Sequence, residues 1–151
     1  MTLSFSTNAF RPSEGKSKVL NPGYGKSYEC KLYGTAVAGT FVKIKAVAGA
    51  KTRVVEAITA DTDKVFGIIP YNAVMNSYTD GQMVNVVRDF TTIVCEASAA
   101  INAGDTVMPV ISGLKVATQT TGKSVVGEAV TPATQAGDLL EVLIKIPVKV
   151  A

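Results

Sequence analysis

Phe41-Val42-Lys43-Ile44-Lys45-Ala46-Val47 alternates apolar and charged or small side chains along its length. Successive side chains of an extended chain point to opposite faces, so this period of two predicts a half-buried strand. Similar short apolar stretches follow at Thr52 to Ile58, Val65 to Ile69, Met83 to Arg88, Thr91 to Glu96, Thr106 to Ile111, Leu114 to Thr118, Val125 to Val130 and Leu139 to Ile146. In the last of these, Leu140, Val142, Ile144 and Ile146 share one face. Gly113 before Leu114 marks a tight hairpin. Short strands at intervals of about ten residues predict an all-β sandwich or barrel. Only Tyr71 to Ser77 and Ala97 to Asn102 read as short helices.

Composition points the same way. Valine, threonine and isoleucine make up close to a third of the 151 residues, whereas leucine occurs only seven times. Side chains branched at Cβ suit a pleated sheet better than a helix. The length fits one compact domain, or a domain with an arm. Hydrophobic residues reach 47%, yet no apolar run approaches the ~18–20 residues of a membrane helix. Met1 to Phe10 lacks the basic and apolar zones of a signal peptide. The expectation is a chain without a membrane partner that buries its surplus apolar surface against other subunits.

Residues 1–30 read as an extended N-terminal arm. They hold Pro12, Pro22, Gly15, Gly23 and Gly25, and the turn signal Asn21-Pro22-Gly23-Tyr24-Gly25. Proline lacks a ladder donor and glycine carries the largest ordering entropy, so such a segment orders best against a partner. The body, 31–151, carries two weakly similar halves, about 34–90 and 99–146. Ala38-Gly39-Thr40 before Phe41-Val42 matches Ala103-Gly104-Asp105 before Thr106-Val107. Val65-Phe66-Gly67-Ile68-Ile69 matches Val125-Val126-Gly127-Glu128-Ala129, and Asp80-Gly81-Gln82 matches Ala136-Gly137-Asp138. Glycine inside a strand marks a bulge or a close backbone approach.

The formal charge of +3 lies wholly within residues 1–31, where Arg11, Lys16, Lys18, Lys26 and Lys31 face Glu14 and Glu29. So few cations release few counterions, and contact with an acidic protein surface is as good a reading as nucleic acid. Cys30 and Cys95 lack metal-site spacing and no histidine is present to complete a site. Two readings of them stand: buried reduced thiols, or a disulfide joining arm to body.

The absence of histidine removes the commonest general base and any Ser-His or Cys-His pair. Gly-Lys-Ser occurs at 15–17, 25–27 and 122–124, but a phosphate loop needs a glycine where Phe10, Leu20 and Ala117 stand. Asp61-Thr62-Asp63 lacks the further acids of a calcium loop and reads as a solvated turn. No catalytic, metal or cofactor residue is expected. The tyrosines are not interleaved with a basic stripe, as a single-strand-binding sheet requires. Tyr71 and Tyr78 flank a loop where an exposed ring serves an interface, although simple packing is the plainer reading.

Taken in order, Ala-Gly-Thr-Phe-Val at 38–42, Ala-Asp-Thr-Asp-Lys-Val-Phe-Gly-Ile-Ile at 60–69 and Tyr-Thr-Asp-Gly-Gln-Met-Val at 78–84 form a series. It continues through Ala-Ala-Ile-Asn-Ala-Gly-Asp-Thr-Val at 99–107, Thr-Gly-Lys-Ser-Val-Val-Gly-Glu-Ala at 121–129 and Ala-Gly-Asp-Leu-Leu-Glu-Val at 136–142. Over residues 34–146 this series resembles the phage capsid decoration, or cement, proteins. The resemblance implies a non-enzymatic β-rich subunit, a homotrimer on the exterior of an icosahedral head, bound to the major capsid protein and stabilising the shell. The expected contacts are Arg11, Lys16, Lys18, Tyr24, Lys26, Tyr28, Tyr71 and Tyr78, with no nucleic acid and no cofactor. The rival expectations are a head-fibre base or glycan-adhesion module, an enzyme of a related fold, and a nucleic-acid-binding protein resting on the arm's charge.

Overall fold

A computed structural model describes residues 19–21, 27–72, 74–110 and 114–146. Among them the chain is all-β. The strands are β1 (Val19–Asn21), β2 (Ser27–Leu32), β3 (Ala36–Val37), β4 (Phe41–Ile44), β5 (Val54–Ala57), β6 (Gly67–Ile68) and β7 (Ser77–Tyr78), followed by β8 (Met83–Val87), β9 (Thr92–Glu96), β10 (Thr106–Pro109), β11 (Val116–Thr118), β12 (Gly127–Ala129) and β13 (Leu139–Ile144). Every apolar stretch read as a strand from the sequence contains one.

Strands β2-β5-β4-β6-β8 close into a barrel, and β3 pairs with β7 beside it. The second half forms a six-stranded sheet in the order β1-β9-β13-β12-β10-β11. This sheet curls until β11 reaches the chain just after β9, in a parallel bridge between Ala97 and Val116. That bridge stands where β2 and β5 pair in parallel through Leu32 and Val55 in the first barrel.

The two units are wired alike. Gly39 N–H donates to Ile69 O and Gly104 N–H to Ala129 O, both at 2.7 Å. Leu32 N–H reaches Gln82 O as Ala97 N–H reaches Asp138 O, both at 2.8 Å. Gly81 N–H bonds Leu32 O and Gly137 N–H bonds Ala97 O, again both at 2.8 Å. In register, Val42 faces Gly67 and Val107 faces Gly127. Cys30 faces Val84, and Cys95 faces Leu140. The cysteines therefore hold corresponding places in different barrels, and both are buried with no disulfide between them. Burial pushes the Cys30 thiol up, Arg53 opposes the rise and Glu29 adds to it.

Each unit begins one strand earlier than the sequence halves at 34 and 99, with β2 and with β9. Two parts of the segment assigned to an arm belong to these sheets. Val19–Asn21 pairs with β9, and residues 27–30 lie in β2. The prolines and glycines between them hide two short strands from a periodicity reading. Residues 1–18 and 22–26 lie outside the described part of the chain. The two expected helices also give way: Ala97 and Ile101 enter β-bridges, and Ser77 belongs to β7. Neither segment is long enough to repay helix nucleation once a strand edge is within reach.

Alternation fails where both faces are covered. Val42 and Ile69 point into the first barrel's core with Leu32, Val55 and Val86. Their neighbours Phe41 and Ile68 point outward and join Ile93, Leu140, Val142 and Ile144 in the larger core. The first barrel's β4–β6 face is thus buried against the second unit. This shared apolar layer makes one body of the two barrels.

Candidate interaction surface

Residues 70–76 bridge β6 and β7. Asn72 N–H donates to Asn76 Oδ1 at 2.8 Å, Val74 N–H to Asn72 Oδ1 at 2.7 Å, and Asn76 Nδ2 to Asn72 O at 2.7 Å. Asparagine side chains bonding nearby backbone fix a loop without regular structure. From beneath, the buried Tyr78 donates its hydroxyl to Met75 O at 2.9 Å. The loop so held presents Val74 at 92% exposure, with Met75 and Tyr71 about half exposed, and Met83 of β8 is half exposed as well. Between loop and barrel runs a groove of about 270 Å³, lined by Glu29, Asn72, Val74, Met75, Met83 and Asn85. Singly scattered apolar side chains are ordinary, but a cluster on a pinned loop is the usual mark of a protein-binding surface.

A second surface feature is a stack of cations and rings. The Arg53 guanidinium lies 5.0 Å from the Tyr28 ring centre, and Arg88 lies 5.8 Å from Tyr28 and 4.4 Å from Phe66. Tyr28 and Phe66 meet edge to face at 5.6 Å.

Of the contact residues expected from sequence, Tyr71 is exposed on the loop and Tyr28 is half-buried in the stack. Tyr78 is a correction: it is 8% exposed and anchors the loop from inside. Its position in a two-residue strand turns the ring toward the barrel core. Arg11, Lys16, Lys18, Tyr24 and Lys26 lie outside the described residues. Sequence reasoning missed Val74, Met75 and Met83. The available signal was the pair Asn72 and Asn76 bracketing three apolar residues within a turn-rich stretch.

The acidic turn and the Gly-Lys-Ser triplet at 122–124 find each other. Ser124 N–H donates to Asp61 O at 2.9 Å, its hydroxyl donates to Asp63 O, and Lys123 Nζ lies 3.1 Å from Asp61 Oδ1. Together they fasten one barrel to the other. Asp63 Oδ2 accepts from Thr59 N–H at 2.8 Å, Ala60 N–H at 3.0 Å and Lys43 Nζ at 3.0 Å. Partial burial raises its pKa, but the Thr59 amide, Lys43 and the Ala60 amide outweigh that and bring it to about 2. Among the described residues no three His, Cys, Asp or Glu side chains converge as a metal site.

The folded pKa of Asp63 lies below the ordinary carboxylate value, so its contribution is present above about pH 4 and fades as pH falls toward about 2. Asp63→Asn is therefore expected to lower stability near neutral pH by about 2 kcal/mol. The deficit should shrink steadily below about pH 4. Urea denaturation of both proteins from pH 2 to 7 checks this; a deficit independent of pH contradicts it.

No family model and no curated protein sequence matches the chain. Among solved structures, the fold is similar to that of the head fibre gp8.5 N base of bacteriophage phi29. The TM-score is 0.54 and the identity 17%, over 80% of this chain and 94% of that one.

Proposed function

We propose that this chain is a non-enzymatic structural protein of a phage head, sitting on the shell exterior as the base of a projecting part. The observation that carries this reading is the fold likeness, which spans nearly the whole of a head-fibre base. The pinned apolar loop around Val74 supports it, because a base needs a preformed patch for its seat. Preformed patches bind without repaying loop-ordering entropy. The partner on this reading is the major capsid protein, and the base assembles with copies of itself as a homotrimer. Many copies on one shell add their free energies, so each seat needs only modest affinity.

A fibre base and a cement protein share this location but differ in consequence. A cement protein bridges neighbouring subunits, so it binds only the assembled form and stabilises the shell; a base seated on a single subunit binds it equally before and after assembly and leaves shell stability unchanged. Purified chain is expected to co-sediment with expanded heads that lack it, without altering the temperature at which those heads rupture. A raised rupture temperature would favour the cement reading, and failure to co-sediment would remove both. Val74→Asp, at a side chain with almost no native contacts, is expected to lower head occupancy at least tenfold while the melting temperature stays within about 1 °C.

A further inference from the structure

Beside the stack of rings and cations lies a cleft of about 360 Å³, lined by Lys43, Ile44, Lys64, Val65, Phe66 and Arg88. Three cations border it and no carboxylate does. Lys43 is already committed to Asp63 at 3.0 Å. Among the described residues neither Lys64 nor Arg88 has a carboxylate within ion-pair distance. Arg88 is nonetheless held in place. Its Nε–H donates to Phe66 O and its guanidinium lies 4.4 Å over the Phe66 ring. The terminal N–H groups of the guanidinium remain available as donors.

The duplicated architecture supplies an internal control. The register of the two barrels sets Lys43, Lys64, Phe66 and Arg88 against Met108, Ser124, Val126 and Ile144. The second barrel closes with neutral side chains at all four places, so the fold does not require the charges of the first. A plain solvated face would also leave its cations free to wander and pair with nearby acids. Here one guanidinium is clamped over a ring above an apolar floor, with Ile44 half exposed at its edge.

We infer that this cleft is a binding site for an acidic segment of a partner protein, a carboxylate side chain followed by an aliphatic one. A guanidinium fixed in plane matches a carboxylate through two parallel hydrogen bonds. Lys64 adds a second charge, and the Ile44–Val65–Phe66 floor takes the aliphatic neighbour. Two uncommitted cations displace too few counterions to hold a nucleic acid at physiological salt. The cleft's lining defines this site independently of the head-protein reading.

The test is an NMR titration of the full chain with the acetylated peptide Leu-Glu-Leu-Glu and its neutral counterpart Leu-Gln-Leu-Gln, with inorganic phosphate and an eight-nucleotide thymidine oligomer as further arms. The acidic peptide is expected to shift the Lys64, Phe66 and Arg88 amides and to bind at least tenfold more tightly than the neutral one. Lys64→Glu, at an exposed position, should abolish the response while leaving the rest of the spectrum unchanged. Arg88→Lys, which keeps the charge but loses the planar fork, should weaken binding several-fold. No shift, an equal response to the neutral peptide, an undiminished response in Lys64→Glu, or tighter binding of phosphate or the oligomer would each overturn the assignment.

Discussion

Gly127→Ala is expected to destabilise the chain by about 3 kcal/mol, at the upper end of what overpacking costs. A Cβ at Gly127 is aimed at the Leu143 carbonyl, inside van der Waals contact, and reaches Ile144 Cα at 3.1 Å. These are backbone atoms of a paired strand, and they cannot swing aside as a flexible side chain does. Gly67 is placed alike: its Cβ would stand 2.5 Å from both Val86 Cγ1 and Val87 O. In both strands the glycine is needed for close approach, not for an unusual backbone angle. Gly137 is the contrast, with φ +91° and nothing within 4 Å of an added Cβ. Its alanine variant should lose only about 1 kcal/mol, the cost of the left-handed conformation. Urea midpoints for the three variants separate the two causes. Equal losses at Gly127 and Gly137 would show that strand approach is not the constraint.

Phe41→Ala is expected to cost about 3–5 kcal/mol, as deletion of a large buried ring leaves a cavity that the surroundings fill only in part. Phe41 is 1% exposed and lies in the core shared by both barrels, whereas Val42, one residue on, lies in the first barrel's own core. The Phe41 change should therefore weaken the coupling between barrels as well as the total. The chain has no tryptophan, and Tyr28, Tyr33, Tyr71 and Tyr78 lie in the first unit, so in a Tyr24→Phe background tyrosine fluorescence reports on the first barrel. Cys95, buried in the second, reports its opening by thiol labelling in a Cys30→Ala background, since Cys30 is buried in the first. The two signals should coincide in the parent chain and separate in Phe41→Ala. Val42→Ala should shift the tyrosine transition without separating it from the other. Coincident transitions in Phe41→Ala would mean that the halves are coupled elsewhere, for instance through Ser124 and the Asp61–Asp63 turn.

Much of the architecture was legible because a strand's side-chain period is short and local. Leu140, Val142, Ile144 and Ile146 lie on one face in the sequence and are all buried. The glycines at 67 and 127 stand out in the sequence as well, since Val65-Phe66 and Ile68-Ile69 flank the first and Val125-Val126 leads into the second. The surface was less legible. Nothing local distinguishes Tyr71, exposed on the loop, from Tyr78, which is buried beneath the loop. Val74 reads as an ordinary apolar residue until the Asn72–Asn76 bonds are seen to hold it outward.

Local chemistry, then, was enough to establish a β-structure with repeated glycine-centred strands and without histidine-based catalysis, because alternation, turn residues and missing side chains are properties of neighbours along the chain. Contacts between distant residues settled the rest. Lys123 meets Asp61 across 62 positions, and Phe41 turns from a barrel's outer wall into a shared core only when the second unit packs on it. Such pairings depend on how strands are ordered in space, and a period of two is the same whichever strand lies alongside.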